Sequence, residues 1–380
     1  MFFSHKILHA VGGLVVSSAG FAAQASLTPV VPAPRAVQVI AASADAGGSA
    51  YLAFPAILRT GPDEVLMSFK HGAKHGGDPE ADLELVRFDT ARHVITQRQV
   101  VAHDPGFIHQ MGEWVRFPNG DIAVYLDVQT LGDDGRNYRS GMRENRSRDG
   151  GRTFEGLKVS PRVDGREYGY PFDFIVQGNT TYMLVMAFGY RPGERWSVDV
   201  IQSVDNGRSW TFVRNLKEEF GGHRINESAF VPWEDGFLVT TRAYGDSARL
   251  YRTDKNFRRL AGADLSQTNA FIQSHLGRPR LFVRDGAVFL LGRNWRTLPP
   301  QGKRMELGLF QLDPKALQVT RWFILDNAER ANVTDGYYAV PYFQERGGQT
   351  LLNLIDYRAF DGKHPDIIRH EFDWADIRGR

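Results

Sequence analysis

The chain has 380 residues, 39 of them glycine and none cysteine, and 46 basic against 44 acidic side chains leave a formal charge of +2. That balance gives no bulk attraction to nucleic acid or to a membrane surface, and the missing cysteine excludes both a disulfide framework and thiolate metal sites. Aromatics at 12% together with so much glycine suit many short strands and tight turns rather than a helical protein.

At the N-terminus His5 and Lys6 precede an apolar stretch, Ile7 to Ala23, and Ala23-Gln24-Ala25 supplies a small-x-small cleavage site. Residues 1–25 therefore have the form of a secretory signal peptide. The stretch is too diluted by Gly and Ser to serve as a membrane span. The mature protein is expected to be exported, to the periplasm or the medium, with no membrane span after cleavage. Residues 26–35, with Pro29, Pro32 and Pro34, form an extended lead-in, and 36–380 are expected to be one domain.

Ala36 to Ala41 is a lone strand. After it, one order of elements recurs six times: a strand, a turn, and a second strand rich in Val, Leu, Phe or Tyr. The openings are Tyr51 to Leu58, Ile108 to Phe117, Tyr170 to Val176, Asn226 to Val231, Arg278 to Val283 and Gly336 to Phe343. Their turns include Pro118-Asn119-Gly120, Gly178-Asn179, Asp285-Gly286 and Gly347-Gly348. The second strands run Glu64 to Phe69, Asp121 to Leu126, Thr180 to Phe188, Phe237 to Arg242, Ala287 to Leu291 and Thr350 to Ile355. Six units at a period of roughly 50–60 residues predict an all-β, six-bladed β-propeller of four-stranded antiparallel blades. Ala36 to Ala41 would complete the last blade and close the ring.

Two segments share a tighter pattern. Ser147-Arg148-Asp149-Gly150-Gly151-Arg152-Thr153-Phe154 and Ser203-Val204-Asp205-Asn206-Gly207-Arg208-Ser209-Trp210 both read Ser-x-Asp-x-Gly-x-(Thr/Ser)-aromatic. Ser and Asp side chains can close such a turn onto backbone N–H groups while Gly takes the positive φ. Both fall between the third and fourth strands of their units, and Tyr251 to Phe257 is a decayed third copy. These turns belong to the rim of a propeller. Chemistry is expected instead where the innermost strands begin, around the central channel.

The repeated pattern resembles the Asp box of the sialidase (neuraminidase) superfamily, and the resemblance spans essentially the whole mature length. Phe54-Pro55-Ala56-Ile57-Leu58 stands where that family has Arg-Ile-Pro-Ala-Leu, followed here by an acidic loop from Gly76 to Val86. Asn226-Glu227-Ser228 with Arg242 resembles the segment bearing a catalytic Glu and one arginine of a carboxylate-binding triad. Arg278-Pro279-Arg280 resembles the segment of another triad arginine, and Gly336-Tyr337-Tyr338-Ala339 that of a tyrosine nucleophile. The resemblance implies Asp78 as acid/base, Glu227 as proton acceptor, Tyr338 or Tyr337 as nucleophile, and Arg242 and Arg278 as a carboxylate clamp.

One departure alters the clamp: Ala53 occupies the place of the family's first triad arginine. Nearby cations, Lys70, His71 and His75, are candidates to replace the lost charge, and His109 is a candidate sugar contact. The expected activity is removal of a terminal acidic sugar from a glycan, without cofactor or metal. Two alternatives stay open. A lyase acting on uronic-acid glycans by β-elimination would draw its base from His71, His75, His109, Tyr337 or Tyr338. A non-catalytic glycan-binding propeller would need none of them.

Overall fold

The computed structural model describes residues 27–45, 50–160, 162–187, 197–243, 247–298, 300, 302–329 and 331–379. The expected signal peptide lies outside them. Strand β1 (Ala36–Ala41) is followed by blade 1: β2 (Tyr51–Gly61), β3 (Glu64–Gly72), β4 (Asp82–Asp89) and β5 (Val94–Ala102). Blade 2 holds β6 (Ile108–Arg116), β7 (Ile122–Leu131), β8 (Asn137–Ser147) and β9 (Leu157–Val159). Blade 3 holds β10 (Tyr168–Gln177), β11 (Thr180–Ala187), β12 (Ser197–Ser203) and β13 (Thr211–Asn215). Blade 4 is β14 (Ile225–Trp233), β15 (Gly236–Ala243), β16 (Ser247–Thr253) and β17 (Arg259–Asp264). Blade 5 is β18 (Gly277–Arg284), β19 (Ala287–Leu298), β20 (Gly302–Asp313) and β21 (Gln318–Asp326). Blade 6 closes the chain with β22 (Val333–Gly336), β23 (Val340–Arg346), β24 (Gln349–Phe360) and β25 (Asp366–Asp373).

Each blade is an antiparallel sheet in chain order, and β1 pairs with β25 as the outermost strand of blade 6. The ring is thus clasped by its own N-terminal strand, which ties the start of the chain to its last strand. All six expected units are present. The sixth differs in one respect: its inner strand is not continuous from Gly336 to Phe343 but is broken into β22 and β23 at Tyr337-Tyr338-Ala339. The core lies between blades, where sheet faces pack; Leu66, Leu83, Leu85, Trp114, Val124 and Leu126 fill the space between blades 1 and 2. No helix among the described residues is long and apolar enough to cross a membrane.

The two Ser-x-Asp-x-Gly turns form the same hydrogen bonds. Asp149 Oδ1 accepts from the Thr153 N–H at 2.9 Å, its Oδ2 from Thr153 Oγ1 at 2.6 Å, and Ser147 Oγ accepts from the Gly151 N–H at 2.8 Å. Asp205 and Ser203 repeat these bonds to Ser209 and Gly207 at 2.9, 2.6 and 2.8 Å. Gly207 has φ +77°, and a Cβ there would run into the Phe117 ring of the preceding blade. Carboxylates cap the same turn in other blades: Asp89 accepts from the Arg92 N–H, Asp254 from Arg258 and Asp313 from Ala316. In those turns His93, Phe257 and Leu317 take positive φ, three or four residues after the capping Asp, whereas the two full copies place Gly two residues after it.

The inner strands share a second device. Each first strand carries an extra residue against its neighbour near its start, and β2 and β10 carry a second one further along. The register slips between Ala53 and Ala56, His109 and Met111, Tyr168 and Pro171, Ile225 and Ser228, and Gly277 and Arg280. In blade 6 the slip is the break between β22 and β23. A bulge of this kind bends the strand and re-aims a side chain. Six of them at one level of a ring aim residues at one place.

Candidate active site

The bulges open into a cavity of about 650 Å³ at one end of the channel, within the usual size of a small-molecule site. Its wall includes a residue from the bulge of nearly every blade: Phe54, Gln110, Tyr170, Glu227 and Tyr338. Second strands add Asp127 and Gln129 from β7, Met186 from β11, Arg242 from β15 and Arg293 from β19. Loop residue His75 and the β7–β8 hairpin residues Asn137, Tyr138 and Arg139 complete it.

Glu227 and Tyr338 meet at the centre of this wall. Tyr338 Oη donates to Glu227 Oε1 at 2.8 Å, and Tyr170 Oη donates to the same oxygen at 3.2 Å. Glu227 Oε2 accepts from Arg242 Nη1 at 2.7 Å and from the Arg278 peptide N–H at 2.7 Å. Arg293 Nη2 donates to Tyr338 Oη at 2.9 Å, with Arg242 Nη1 at 3.4 Å from that oxygen. Burial alone would raise the Glu227 carboxyl, but Arg242, the Arg278 N–H, Arg293 and Tyr338 outweigh it and hold it down to about 2. Burial pushes the Tyr338 phenol up to about 12 against the pull of Arg293 and Arg242. The resting pair is therefore an ionised carboxylate and a neutral phenol, flanked by two guanidiniums. Such a pair can pass a proton from phenol to carboxylate as the phenol oxygen forms a bond to carbon.

Another stretch of the wall is polar. Asp127 Oδ2 lies 2.8 Å from Arg139 Nη1 and accepts from Gln129 Nε2 at 2.8 Å, while Gln129 Oε1 accepts from Asn137 Nδ2 at 3.0 Å. Burial raises the Asp127 carboxyl, opposed by Arg139 and Arg278. Among the described residues no group of three or more His, Asp or Glu side chains converges as metal ligands do.

Of the residues expected from the sequence, Glu227, Arg242, Tyr338 and His75 line the cavity. Tyr337 does not: it is buried, with φ +68°, and its hydroxyl donates to Asp326 Oδ2 at 3.0 Å on the far side of the strand. Arg278 reaches Glu227 with its peptide and not its guanidinium. Its φ is +43°, and its side chain runs within the channel to Glu113 Oε2 at 2.5 Å, which Arg280 Nη2 also meets at 2.7 Å. Asp78 is buried away from the cavity wall. Its Oδ2 accepts from the Ala73 and Lys74 N–H groups at 2.6 and 3.3 Å and lies 3.7 Å from Lys70 Nζ. This oxygen closes the loop that carries it.

The remaining cations do not reach the cavity either. Lys70 is fully buried, its amine pulled down to about 8 by burial despite Asp78. It donates to the carbonyls of Lys74 and His75 at 2.7 and 3.1 Å. His71 pairs with Glu84 at 2.9 Å. His109 is buried in β6, its imidazole lowered to about 4 by burial and by Arg143. Ala53 is fully buried, and its neighbour Phe54, at φ +58°, faces the cavity instead.

Sequence reasoning missed Arg293, Asp335, Asp127 and Phe54. A signal for Arg293 was present. Phe237-Leu238-Val239-Thr240-Thr241-Arg242 and Val288-Phe289-Leu290-Leu291-Gly292-Arg293 are the same strand of successive blades, each ending in the arginine beside a bulge. Asp335 carried none, because its partners Tyr51, His75 and Arg293 are distant in sequence.

No family model matches the chain, and no curated protein matches its sequence. Solved structures do match its fold. A protein of unknown function from Dyadobacter fermentans aligns at TM-score 0.70 and 15% identity, over 90% of this chain and 98% of the other. A mutant of the NanB sialidase from Streptococcus pneumoniae aligns at TM-score 0.64 and 10% identity, over 89% of this chain and 71% of the other. The intramolecular trans-sialidase from Ruminococcus gnavus, in complex with oseltamivir carboxylate, aligns at 0.59 and 10%, over 90% and 98%. The chain has the six-bladed propeller fold of sialidases.

Proposed function

We propose that the protein is an exported exo-glycosidase of sialidase type, which removes a terminal acidic sugar through a covalent intermediate on Tyr338. The observation that carries this reading is the 2.8 Å bond from Tyr338 Oη to Glu227 Oε1, with Arg293 and Arg242 beside the same phenol oxygen at a cavity wall. A neutral phenol suits an anomeric carbon that already bears a carboxylate, because no anion approaches an anion. Arg242 and Arg293 are the carboxylate clamp in this reading, with Arg293 in the role that the sequence suggested for Arg278. A carboxylate bound there takes a share of both guanidiniums, weakens their hold on Glu227, and so makes Glu227 a better proton acceptor when it is needed. The signal-like form of residues 1–25 supports a site of action outside the cytoplasm.

A second reading, β-elimination of a uronic-acid glycan, draws support from His75, a histidine on the wall of a cavity that also holds two arginines. One assay separates the two. Sialosides and uronic-acid polysaccharides are incubated with the protein and followed by reducing-sugar release and by ultraviolet absorbance. The hydrolase reading expects free acidic sugar from a sialoside with no new absorbance. Absorbance of an unsaturated uronate, with the sialosides intact, would replace it with the lyase.

A further inference from the structure

With Asp78 committed to its own loop, the glycosidase reading lacks a group to protonate the leaving oxygen. We infer that His75, held by Asp335, is the acid/base of this site; the inference rests on the glycosidase reading and supplies its missing proton.

The geometry is that of a carboxylate–histidine pair opening onto a cavity. His75 Nδ1 lies 2.6 Å from Asp335 Oδ2, and Tyr51 Oη, 3.0 Å from the same nitrogen, donates to that carboxylate oxygen as well. The ring packs edge-on against Phe54 at 5.0 Å and Tyr51 at 5.9 Å. Its backbone is pinned from beneath, where the carbonyl accepts from Gln110 Nε2 at 2.7 Å and from buried Lys70 at 3.1 Å. Lys70, His75 and Asp78 thus work as one loop device. The two residues that do not reach the cavity hold in place the one that does. Asp335 is itself tied to the clamp, since its Oδ1 lies 3.3 Å from Arg293 Nη1 and accepts from Tyr357 Oη at 3.0 Å. Tyr338, Arg293, Asp335 and His75 therefore form one chain of contacts along the wall.

Asp335 fixes the tautomer by accepting a hydrogen bond from Nδ1–H, which leaves Nε2 for substrate. In the first step protonated His75 gives its Nε2 proton to the glycosidic oxygen as the bond from that oxygen to the anomeric carbon breaks. Tyr338 Oη bonds to the same carbon and its proton passes to Glu227. In the second step neutral His75 takes a proton from water, the oxygen of that water bonds to the anomeric carbon, and Tyr338 leaves and recovers its proton from Glu227. One glycosidic bond and one water are consumed, one sugar and one alcohol are released, and both side-chain pairs return to their starting states. The ionisable groups that meet the imidazole or its carboxylate are Asp335 on β22, Tyr51 on β2 and Arg293 on β19, while Lys70 on β3 meets only the His75 carbonyl.

The test compares wild type with His75→Ala and Asp335→Asn on two sialosides, one with a 4-nitrophenolate leaving group and one with lactose. A poor leaving group needs the proton and a good one does not. His75→Ala is expected to cut kcat/KM on sialyl-lactose by ~10²–10³-fold. On the nitrophenyl sialoside the loss should stay under about fivefold, since only proton donation has been removed. Equal loss on both substrates, or none on sialyl-lactose, would overturn the assignment. Asp335→Asn is expected to show the same asymmetry, a larger loss on sialyl-lactose than on the nitrophenyl sialoside, and an unchanged rate on sialyl-lactose would overturn the pairing. Where wild type cleaves neither sialoside, the glycosidase reading has failed and the acid/base role falls with it.

Discussion

The two rims of this propeller use carboxylates in opposite ways. On the outer rim Asp149 and Asp205 are satisfied within their own turns, by residues two to four positions away. At the inner bulges Glu227 is satisfied by Arg242, Arg278, Tyr170 and Tyr338, which are 15, 51, 57 and 111 positions away. Both carboxylates are acidified. Asp205, against the burial that would raise it, is brought to about 2 by Ser209 and Ser203; Glu227, deeply buried, reaches the same value only through converging cations and donors. Similar acidity from local and from global sources has different consequences. A local cap is worth about one cap, whereas a global convergence fails as a unit.

Substitutions at the inner rim should break this contrast most visibly. Tyr338→Phe keeps the ring and removes the oxygen, so kcat/KM on a cleaved sialoside should fall by ~10²–10⁴-fold with little change in melting temperature. A melting temperature that fell with the activity would mean that Tyr338 braces the ring rather than reacts. Glu113→Ala, beneath the cavity, leaves the buried guanidiniums of Arg278 and Arg280 facing each other without their shared carboxylate. We expect a stability loss of ~3–5 kcal/mol by urea denaturation.

Acid separates the rims next. The Glu227 carboxyl lies at about 2 when folded against 4.5 as its ordinary value. Its depressed pKa contributes stability that is complete above the ordinary value and is lost as pH falls toward about 2. That contribution is worth about 3 kcal/mol, and Glu227→Gln should flatten the stability profile across that window by a comparable amount. At the outer rim Asp205→Ala should cost only about 1 kcal/mol, the worth of one turn cap, and leave kcat/KM within about twofold of wild type. A large loss of activity there would contradict the separation of the two regions.

The same contrast governs what could be read from the sequence. The outer rim was legible because its turns are local: Ser, Asp, Gly and an aromatic at fixed spacing specify their own hydrogen bonds. From that period the six blades, their first two strands and the clasp by β1 followed. At the inner rim a resemblance supplied Glu227, Arg242 and Tyr338, and the cluster of cations after β3 supplied His75. A bulge adds one residue to a strand without altering its composition, so the positive φ of Phe54, Arg278 and Tyr337 left no trace in any periodicity. That extra residue explains why Arg278 offers its peptide rather than its guanidinium, and why Tyr338 faces the cavity while Tyr337 faces Asp326. Asp78 was misplaced for the converse reason: a loop carboxylate closes on the nearest free N–H groups, and Ala73 and Lys74 were nearer than any substrate.

The central claim is that Glu227 makes Tyr338 a nucleophile toward an acidic sugar. Its most direct test is to incubate the protein with a 2,3-difluoro derivative of sialic acid, which slows release of a glycosyl-enzyme, and to map the peptides by mass spectrometry. A sugar adduct on Tyr338, absent from Tyr338→Phe, is the result expected. Turnover of a sialoside with the adduct on another residue, or with no adduct at all, would contradict it.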